Sequence, residues 1–324
     1  MRISIIHDWV PSLEQELTWK DGLAAAIKIL HYRHEVKFFT CGMSEFVLPH
    51  EYFPIYVTPS GETMKNRVDE FNPDVILFWS DMTREHIPIL KQLGKPMAVA
   101  FAGGNPFGPH WALFDHIFVE SNSYLMKFQN AGLTRQVSTA FGTNTKLFDP
   151  IHAQVKNQAK IFDVCFPATY CDWKRHHLFA DAVKGRSSVC AGFKYEDHET
   201  YCWDAADQAG ALSLPHVSAE TLRQIYASSR LCVITSHWTG GSQRTVLEAM
   251  AMNLPIIVMS DSDKTSEYVI ESGEGLVVDP NPNAIHAAIE ELLHKEVKTR
   301  DYIMSKWTEQ HYVDALESGL MKIV

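Results

Sequence analysis

The sequence predicts an α/β protein made of two doubly wound halves, each a parallel sheet with helices on both faces. Three observations lead there. The 324 residues fit two domains better than one. Short apolar or β-branched runs alternate with helical patterns along almost the whole chain, the order that produces parallel strands joined by crossover helices. That alternation pauses at the turn-rich stretch FGTNTKLFDPI (141–151) and then restarts. The expected division is 1–150 and 151–324, with the two halves facing a cleft and the last helix, about 301–324, packing toward the first half.

In the first half, 2–6 reads as a strand and 22–30 as an amphipathic helix, followed by a strand at 35–40 and a polar helix at 61–71. A strand at 74–78, a helix at 84–92 stopped by Gly94, strands at 96–101 and 116–119, and a helix at 123–130 complete it. The second half opens with a strand at 161–166, a helix at 177–183 and a strand at 188–191. Ser218 is a good N-cap for a helix to Ser228 that carries Leu222, Ile225 and Tyr226 on one face. A strand at 275–278, a helix at 283–293 and a helical segment at 301–321 with Trp307 on its apolar side end the chain.

The most informative stretch is 231–279, LCVITSHWTGGSQRTVLEAMAMNLPIIVMSDSDKTSEYVIESGEGLVVD. An apolar run is followed by a Gly-Gly-Ser loop, a helix pattern bearing Glu248, a break at Asn253-Leu254-Pro255 and a second apolar run at 256–259. Strand, glycine loop and helix aim backbone N–H groups and a helix N-terminus at one point, where anions bind well. With an acidic side chain on the same helix, phosphate plus a polyol is the expected ligand.

Composition narrows the alternatives. At 46% hydrophobic and 21% charged residues the chain can bury a sizeable core. The formal net charge of −10, with no run of Lys and Arg, gives no global attraction to nucleic acid or an anionic membrane. A nucleic-acid partner is therefore not favoured. The six cysteines show no CxxC pair and no zinc spacing, so free thiols in a reducing cytosol are expected. MRISIIHDW reads as a strand and a polar loop, not a signal peptide, and no apolar stretch is long enough to span a membrane. The expected location is cytoplasmic.

The segment from about 217 to 279 resembles the GT-B glycosyltransferases, and most closely family 4 of the nucleotide-sugar-dependent retaining enzymes. The residues that carry the likeness are VSAETLRQIYASSRLCVITS, GGSQRTVLEAMAMNLPIIV, SEYV and GEGLVVD. Weaker echoes are HYRHEVKFF, FNPDVILFWSD, FGTNTKLFDP and DWKRHHLFADA. The resemblance implies two Rossmann-like domains, an acceptor domain followed by a donor domain. It also implies sugar transfer from a nucleotide diphosphate sugar, UDP or GDP being the expected carriers, with no other cofactor and no metal.

Residue by residue, the resemblance implies that Glu248 is the second glutamate of a Glu-x7-Glu motif and holds the ribose hydroxyls. Lys174 matches the lysine that contacts the donor diphosphate. Gly240, Gly241, Ser242, Gln243, Arg244 and Thr245 match the loop and helix start that meet donor sugar and phosphate, and His216 and Val217 lie near the base. Two departures stand out. Gly240 occupies the place of the first glutamate, and the arginine expected shortly before the lysine is missing, with Arg175 beside Lys174 as the candidate substitute.

Sugar transfer develops negative charge on the leaving diphosphate, and preorganised cations and N–H dipoles stabilise it. Lys174, Arg175 and the loop amides are the expected source. His7 and Asp8, after the first strand, and Asp81, after the strand at 74–78, occupy loop positions suited to orienting an acceptor hydroxyl or taking its proton. The plainer reading of these three is polar loop residues without a role. Asp261–Asp263 is the nearest match to a DxD motif and reads as a loop and N-cap region. The primary expectation is a retaining, metal-independent glycosyltransferase. A catalytically silent protein of the same fold, motivated by Gly240, and a nucleotide-sugar epimerase are the alternatives. Acceptor and oligomeric state are not legible.

Overall fold

The structure is a computed structural model, and it describes residues 1–7, 23–49, 53–79, 85–100, 108–133, 136–193, 200–215, 217–237 and 244–324. The chain forms two compact units, Met1–Phe141 with Glu309–Val324, and Gly142–Thr308.

The first unit runs β1 (Arg2–His7), α1 (Leu23–Arg33), β2 (Glu35–Cys41), β3 (Phe46–Leu48), β4 (Ile55–Thr58), α2 (Gly61–Phe71), β5 (Val75–Trp79), α3 (Ile87–Lys91), β6 (Met97–Ala100), a 3-10 turn at Pro109–Leu113, β7 (His116–Val119), α4 (Asn122–Asn130) and β8 (Val137–Thr139). Its eight strands lie in the order β3-β4-β2-β1-β5-β6-β7-β8. All neighbours are parallel except the short edge strand β3, which pairs antiparallel with β4, so this sheet is mixed rather than wholly parallel. Strand side chains alternate between faces. Accordingly Ile3 and Ile5 join one buried cluster with α1 and the C-terminal helix, through Leu30, Tyr312, Leu316 and Leu320. Ile6 joins the other, with Met64 and Val68 of α2 and Trp111 and Phe128 beyond. Because both faces are covered, all five residues of β5, Val-Ile-Leu-Phe-Trp, are buried.

The second unit runs β9 (Phe162–Pro167), a 3-10 turn at Asp172–Lys174, α5 (His176–Ala182), β10 (Ser188–Gly192), α6 (Thr200–Gln208), β11 (Leu212–Pro215), α7 (Ala219–Ser228), β12 (Ser229–Ile234), α8 (Arg244–Ala251), β13 (Ile256–Met259), α9 (Asp263–Ser272), β14 (Gly275–Val278), α10 (Pro282–Leu292) and α11 (Thr299–Lys306). The final helix, α12 (Glu309–Leu320), belongs to the first unit. The sheet is wholly parallel, in the order β11-β10-β9-β12-β13-β14. Numbered within the unit this is the Rossmann order 3-2-1-4-5-6, whose direction of winding reverses between β9 and β12.

Ser218 caps α7 as expected, its hydroxyl accepting from the Thr221 amide at 3.1 Å. The helical segment expected over 301–321 is two helices, not one. It breaks at Trp307 and Thr308, where the Thr143 amide donates to the Trp307 carbonyl at 2.9 Å and Thr143 and Thr308 form an isolated parallel bridge. Among the described residues no helix is long and apolar enough to cross a membrane.

Candidate functional site

In a doubly wound sheet, ligands bind beyond the carboxyl ends of the strands where the winding reverses. In the second unit that point lies between β9 and β12, so the segments leaving these strands supply the site. After β9 the chain passes close over the end of β10. A Cβ at Gly192 would lie 1.9 Å from the Ala168 carbonyl oxygen, so only glycine permits this approach. The Tyr170 hydroxyl donates to the Cys190 carbonyl at 3.1 Å and pins the same segment to β10.

The turn that follows brings Lys174 to the switch point with 9% of its surface exposed. Its backbone is tied to the segment leaving β12. The Thr235 hydroxyl lies 2.6 Å from the Lys174 carbonyl and 3.2 Å from that of Arg175, and the His237 amide donates to the Trp173 carbonyl at 2.7 Å. Arg175 itself adopts a left-handed backbone, φ 54° and ψ 51°, a conformation that costs a non-glycine residue roughly 1–3 kcal/mol. Its Nε donates to the Thr235 carbonyl at 2.6 Å, and its terminal nitrogens donate to both carboxylate oxygens of Asp261, at 2.6 and 2.9 Å, and to the Ser236 carbonyl at 3.1 Å. The Arg175 guanidinium holds the Asp261 carboxyl below its ordinary range.

His176 is fully buried, with its ring 4.9 Å from that of Tyr170 and 4.8 Å from that of Phe166. Neither ring nitrogen has a hydrogen-bond partner among the described residues. Burial, then the neighbouring charge of Lys174, pushes its pKa down to about 3. The imidazole is neutral near pH 7 and so adds no positive charge of its own beside Lys174.

On the other side of the switch point stands α8. Glu248 lies on its buried face, 9% exposed, and the Tyr226 hydroxyl donates to its Oε2 at 3.1 Å. Burial pushes the Glu248 carboxyl up to about 7, against the opposing pull of Arg244 one turn earlier and of the Tyr226 hydrogen bond. Arg244, which opens α8, donates to the Gly142 carbonyl. Two buried hydroxyl oxygens, Ser236 Oγ after β12 and Thr245 Oγ1 in the first turn of α8, have no hydrogen-bond partner among the described residues. Buried polar atoms are rarely left unmatched, and these two flank the glycine loop in sequence. They fit a ligand rich in hydrogen-bonding oxygens.

Of the residues read from the sequence, Lys174, Arg175, Arg244, Thr245 and Glu248 are all carried by segments at the carboxyl ends of β9 and β12, and Val217 precedes the Ser218 cap of α7. His216, Gly240, Gly241, Ser242 and Gln243 lie outside the described residues, as do Asp8 and Asp81. His7 is the last residue of β1, where the first unit's winding reverses between β1 and β5. It is 6% exposed, and its ring stacks on Phe38 at 6.2 Å. Sequence reasoning placed Tyr226 only on the apolar face of its helix, and did not single out Thr235, Ser236 or the partner of Arg175. The DSD run was visible, and Ser262 does take the N-cap position of α9, without a side-chain capping bond, while Asp261 turns to Arg175. Among the described residues no cluster of three or more His, Cys, Asp or Glu is arranged to hold a metal ion.

No curated protein matches this chain in sequence. Among solved structures it is similar to sucrose-phosphate synthase from Thermosynechococcus elongatus, with a TM-score of 0.77 and 14% identity, covering 99% of this chain and 98% of that one. It is likewise similar to Anabaena HepE in complex with UDP-glucose, with a TM-score of 0.74 and 12% identity over 99% of this chain and 100% of that one. Trehalose 6-phosphate synthase from Burkholderia multivorans gives 0.76 and 10% identity over 99% and 96%. Residues 164–295, which contain Lys174 and Glu248, match the family model Glycosyl transferases group 1, and the chain as a whole has the two-domain GT-B fold of such glycosyltransferases.

Proposed function

We propose that this protein is a glycosyltransferase that moves a sugar from a nucleotide diphosphate sugar to an acceptor hydroxyl, with retention of configuration and without a metal. The observation that carries the reading is the placement of a nearly buried lysine and a nearly buried glutamate on the segments leaving β9 and β12, the switch-point strands of one Rossmann-ordered sheet, within the stretch that matches the family model. In the proposed mechanism Lys174 and the N-terminus of α8, with the amides of Gly241, Ser242 and Gln243 before it, stabilise charge on the departing diphosphate. The Glu248 carboxylate accepts hydrogen bonds from the ribose hydroxyls. Arg244 and Thr245 complete the phosphate and sugar contacts, and His216 and Val217 line the base. In the first unit His7, with Asp8 and Asp81, orients the acceptor hydroxyl or accepts its proton. HepE was captured with UDP-glucose, which supports a UDP-sugar as the first donor to try; a GDP-sugar is the next.

Gly240, at the position of the family-like first glutamate, favours one competing reading: a protein of the same fold that binds a nucleotide or glycan without turnover. A thermal-shift and calorimetry screen of wild type and Glu248→Ala against UDP, GDP, ADP and their sugar conjugates tests the donor site. A ligand that raises the melting temperature of wild type and not of the variant establishes the site and names the base. Sugar release or transfer from that donor then separates enzyme from silent binder. Stabilisation by none of these ligands would reject the proposal.

A further inference from the structure

We infer that Arg175 and Asp261 act as a positioning clamp that holds the Lys174 turn against the ends of β12 and β13, and that Arg175 is not itself a diphosphate ligand. The inference rests on the function proposed above.

The first support is the backbone. Arg175 follows Lys174 directly and sits at φ 54°, a conformation that persists in a residue with a Cβ only where its surroundings over-determine it. The surroundings do so here. A guanidinium has five N–H donors in a rigid fork. In Arg175 four hydrogen bonds, shared among its three nitrogens, go to the Thr235 and Ser236 carbonyls and to both oxygens of Asp261. The side chain retains 14% exposure.

The second support is charge. A bidentate carboxylate partner uses the two-pronged edge that a phosphate would otherwise take. Asp261 also compensates the positive charge of Arg175, so the pair adds little net field for an incoming anion. Lys174 supplies that field instead. The Thr235 hydroxyl, within hydrogen-bonding distance of the carbonyls of both Lys174 and Arg175, anchors the backbone on which the ammonium is carried. Residues 175, 235–236 and 261 thus lock the segments leaving three adjacent strands, β9, β12 and β13, into one rigid seat.

The clamp and a direct phosphate contact predict opposite signs for Asp261→Asn, which makes them separable. The variants are Asp261→Asn and Arg175→Gly; glycine adopts the left-handed backbone without strain, so the second removes the guanidinium and not the turn. Arg175→Lys serves as the conservative control. Calorimetry would measure UDP, GDP and ADP against uridine, guanosine and adenosine, and hydrogen exchange would follow residues 170–178 in the protein without added nucleotide.

The clamp predicts that both variants weaken the diphosphate ligand by about tenfold or more, as loss of a charge-assisted contact does, while nucleoside affinity stays as in wild type. Arg175→Lys recovers part of that loss, and exchange at 170–178 rises in both clamp variants while the β13 core keeps its protection. A general loss of stability would lower nucleoside and diphosphate affinity together and would overturn the inference. So would tighter diphosphate binding in Asp261→Asn with weaker binding in Arg175→Gly, the signature of a freed arginine acting as ligand. If wild type binds no nucleotide, the proposed function fails on its own terms, and unchanged exchange at 170–178 would separately reject the clamp.

Discussion

The Tyr226 hydroxyl and the Glu248 carboxylate meet at 3.1 Å inside the second unit, one from α7 and the other from α8. Tyr226 is fully buried and reaches the Thr245 carbonyl at 3.3 Å as well. It therefore backs Glu248 from inside the fold, with no surface of its own exposed. Burial, followed by the nearby Glu248, keeps the phenol protonated far above its ordinary range, so it acts only as a donor to the carboxylate.

The raised pKa of Glu248 gives a pH dependence with a definite sign. Its folded value, about 7, lies above the ordinary 4.5. Burial here favours the neutral acid, so the ligand-free protein loses stability as pH rises between those values, by an amount on the order of 3 kcal/mol. Glu248→Gln removes that slope. Urea denaturation at pH 5 and pH 8 is expected to show wild type losing stability relative to the glutamine variant at the higher pH. An equal difference at both pH values would contradict it.

Nucleotide binding should run the other way. Ribose hydroxyls need the ionised carboxylate as acceptor, so affinity should climb through about pH 7 and flatten above it. In Glu248→Gln the step at that pH should disappear. Calorimetric titration across the pH range checks both statements.

Tyr226→Phe removes a donor from a buried carboxylate. The expected cost is about 1–3 kcal/mol in stability when Glu248 is ionised, and less when it is protonated. The midpoint of the affinity profile should move to higher pH, because that hydrogen bond pulls the carboxyl down. A loss of stability with no displacement of the midpoint would mean that the phenol only packs.

Lys174→Met keeps most of the unbranched side chain and removes its charged end. A nucleoside diphosphate should bind roughly 10- to 100-fold more weakly, the range for a charge-assisted hydrogen bond, and the parent nucleoside as before. Equal losses for both ligands would place Lys174 in the scaffold and not at the phosphates.

The C-terminal helix depends on one close approach. A Cβ at Gly319 of α12 would lie 2.3 Å from Phe118 Cε1 and 2.9 Å from His116 Nε2, both on β7, whose side chains are buried. Gly319→Ala should therefore destabilise by roughly 1–3 kcal/mol through overpacking, despite alanine's higher helix propensity. Thermal unfolding is expected to show a lower melting temperature; an increase would mean that β7 yields without cost.

Much of this molecule was determined by the sequence alone. Parallel strands between covered faces are runs of mostly apolar residues, and β7, β13 and β14 span 116–119, 256–259 and 275–278 as expected. Helix α2 spans 61–71 as expected, and the Ser218 cap of α7 rests on a local hydrogen bond that sequence spacing reveals. The strand, glycine loop and helix order around Glu248 was readable for the same reason, since strand period, turn chemistry and helix period are all local. Of the elements that went unread, β4 carries the β-branched and aromatic run Ile-Tyr-Val-Thr and was still passed over, while others lack such a signal. β3 and β11 are short and largely exposed, and α9 opens on the polar run Asp263 to Glu267, which carries little apolar periodicity.

Tertiary structure alone decided the rest. Pairing Arg175 with Asp261 joins residues 86 positions apart, and no pattern along the chain encodes that encounter. It arises because the sheet order brings β9, β12 and β13 side by side. The break at Trp307 and Thr308 is set by residue 143 and not by a helix-breaking residue. The proton affinity of Glu248 is likewise a property of its surroundings: desolvation by the packed faces of α7 and α8 raises it, and no carboxylate shows in its sequence how much water the fold will leave it.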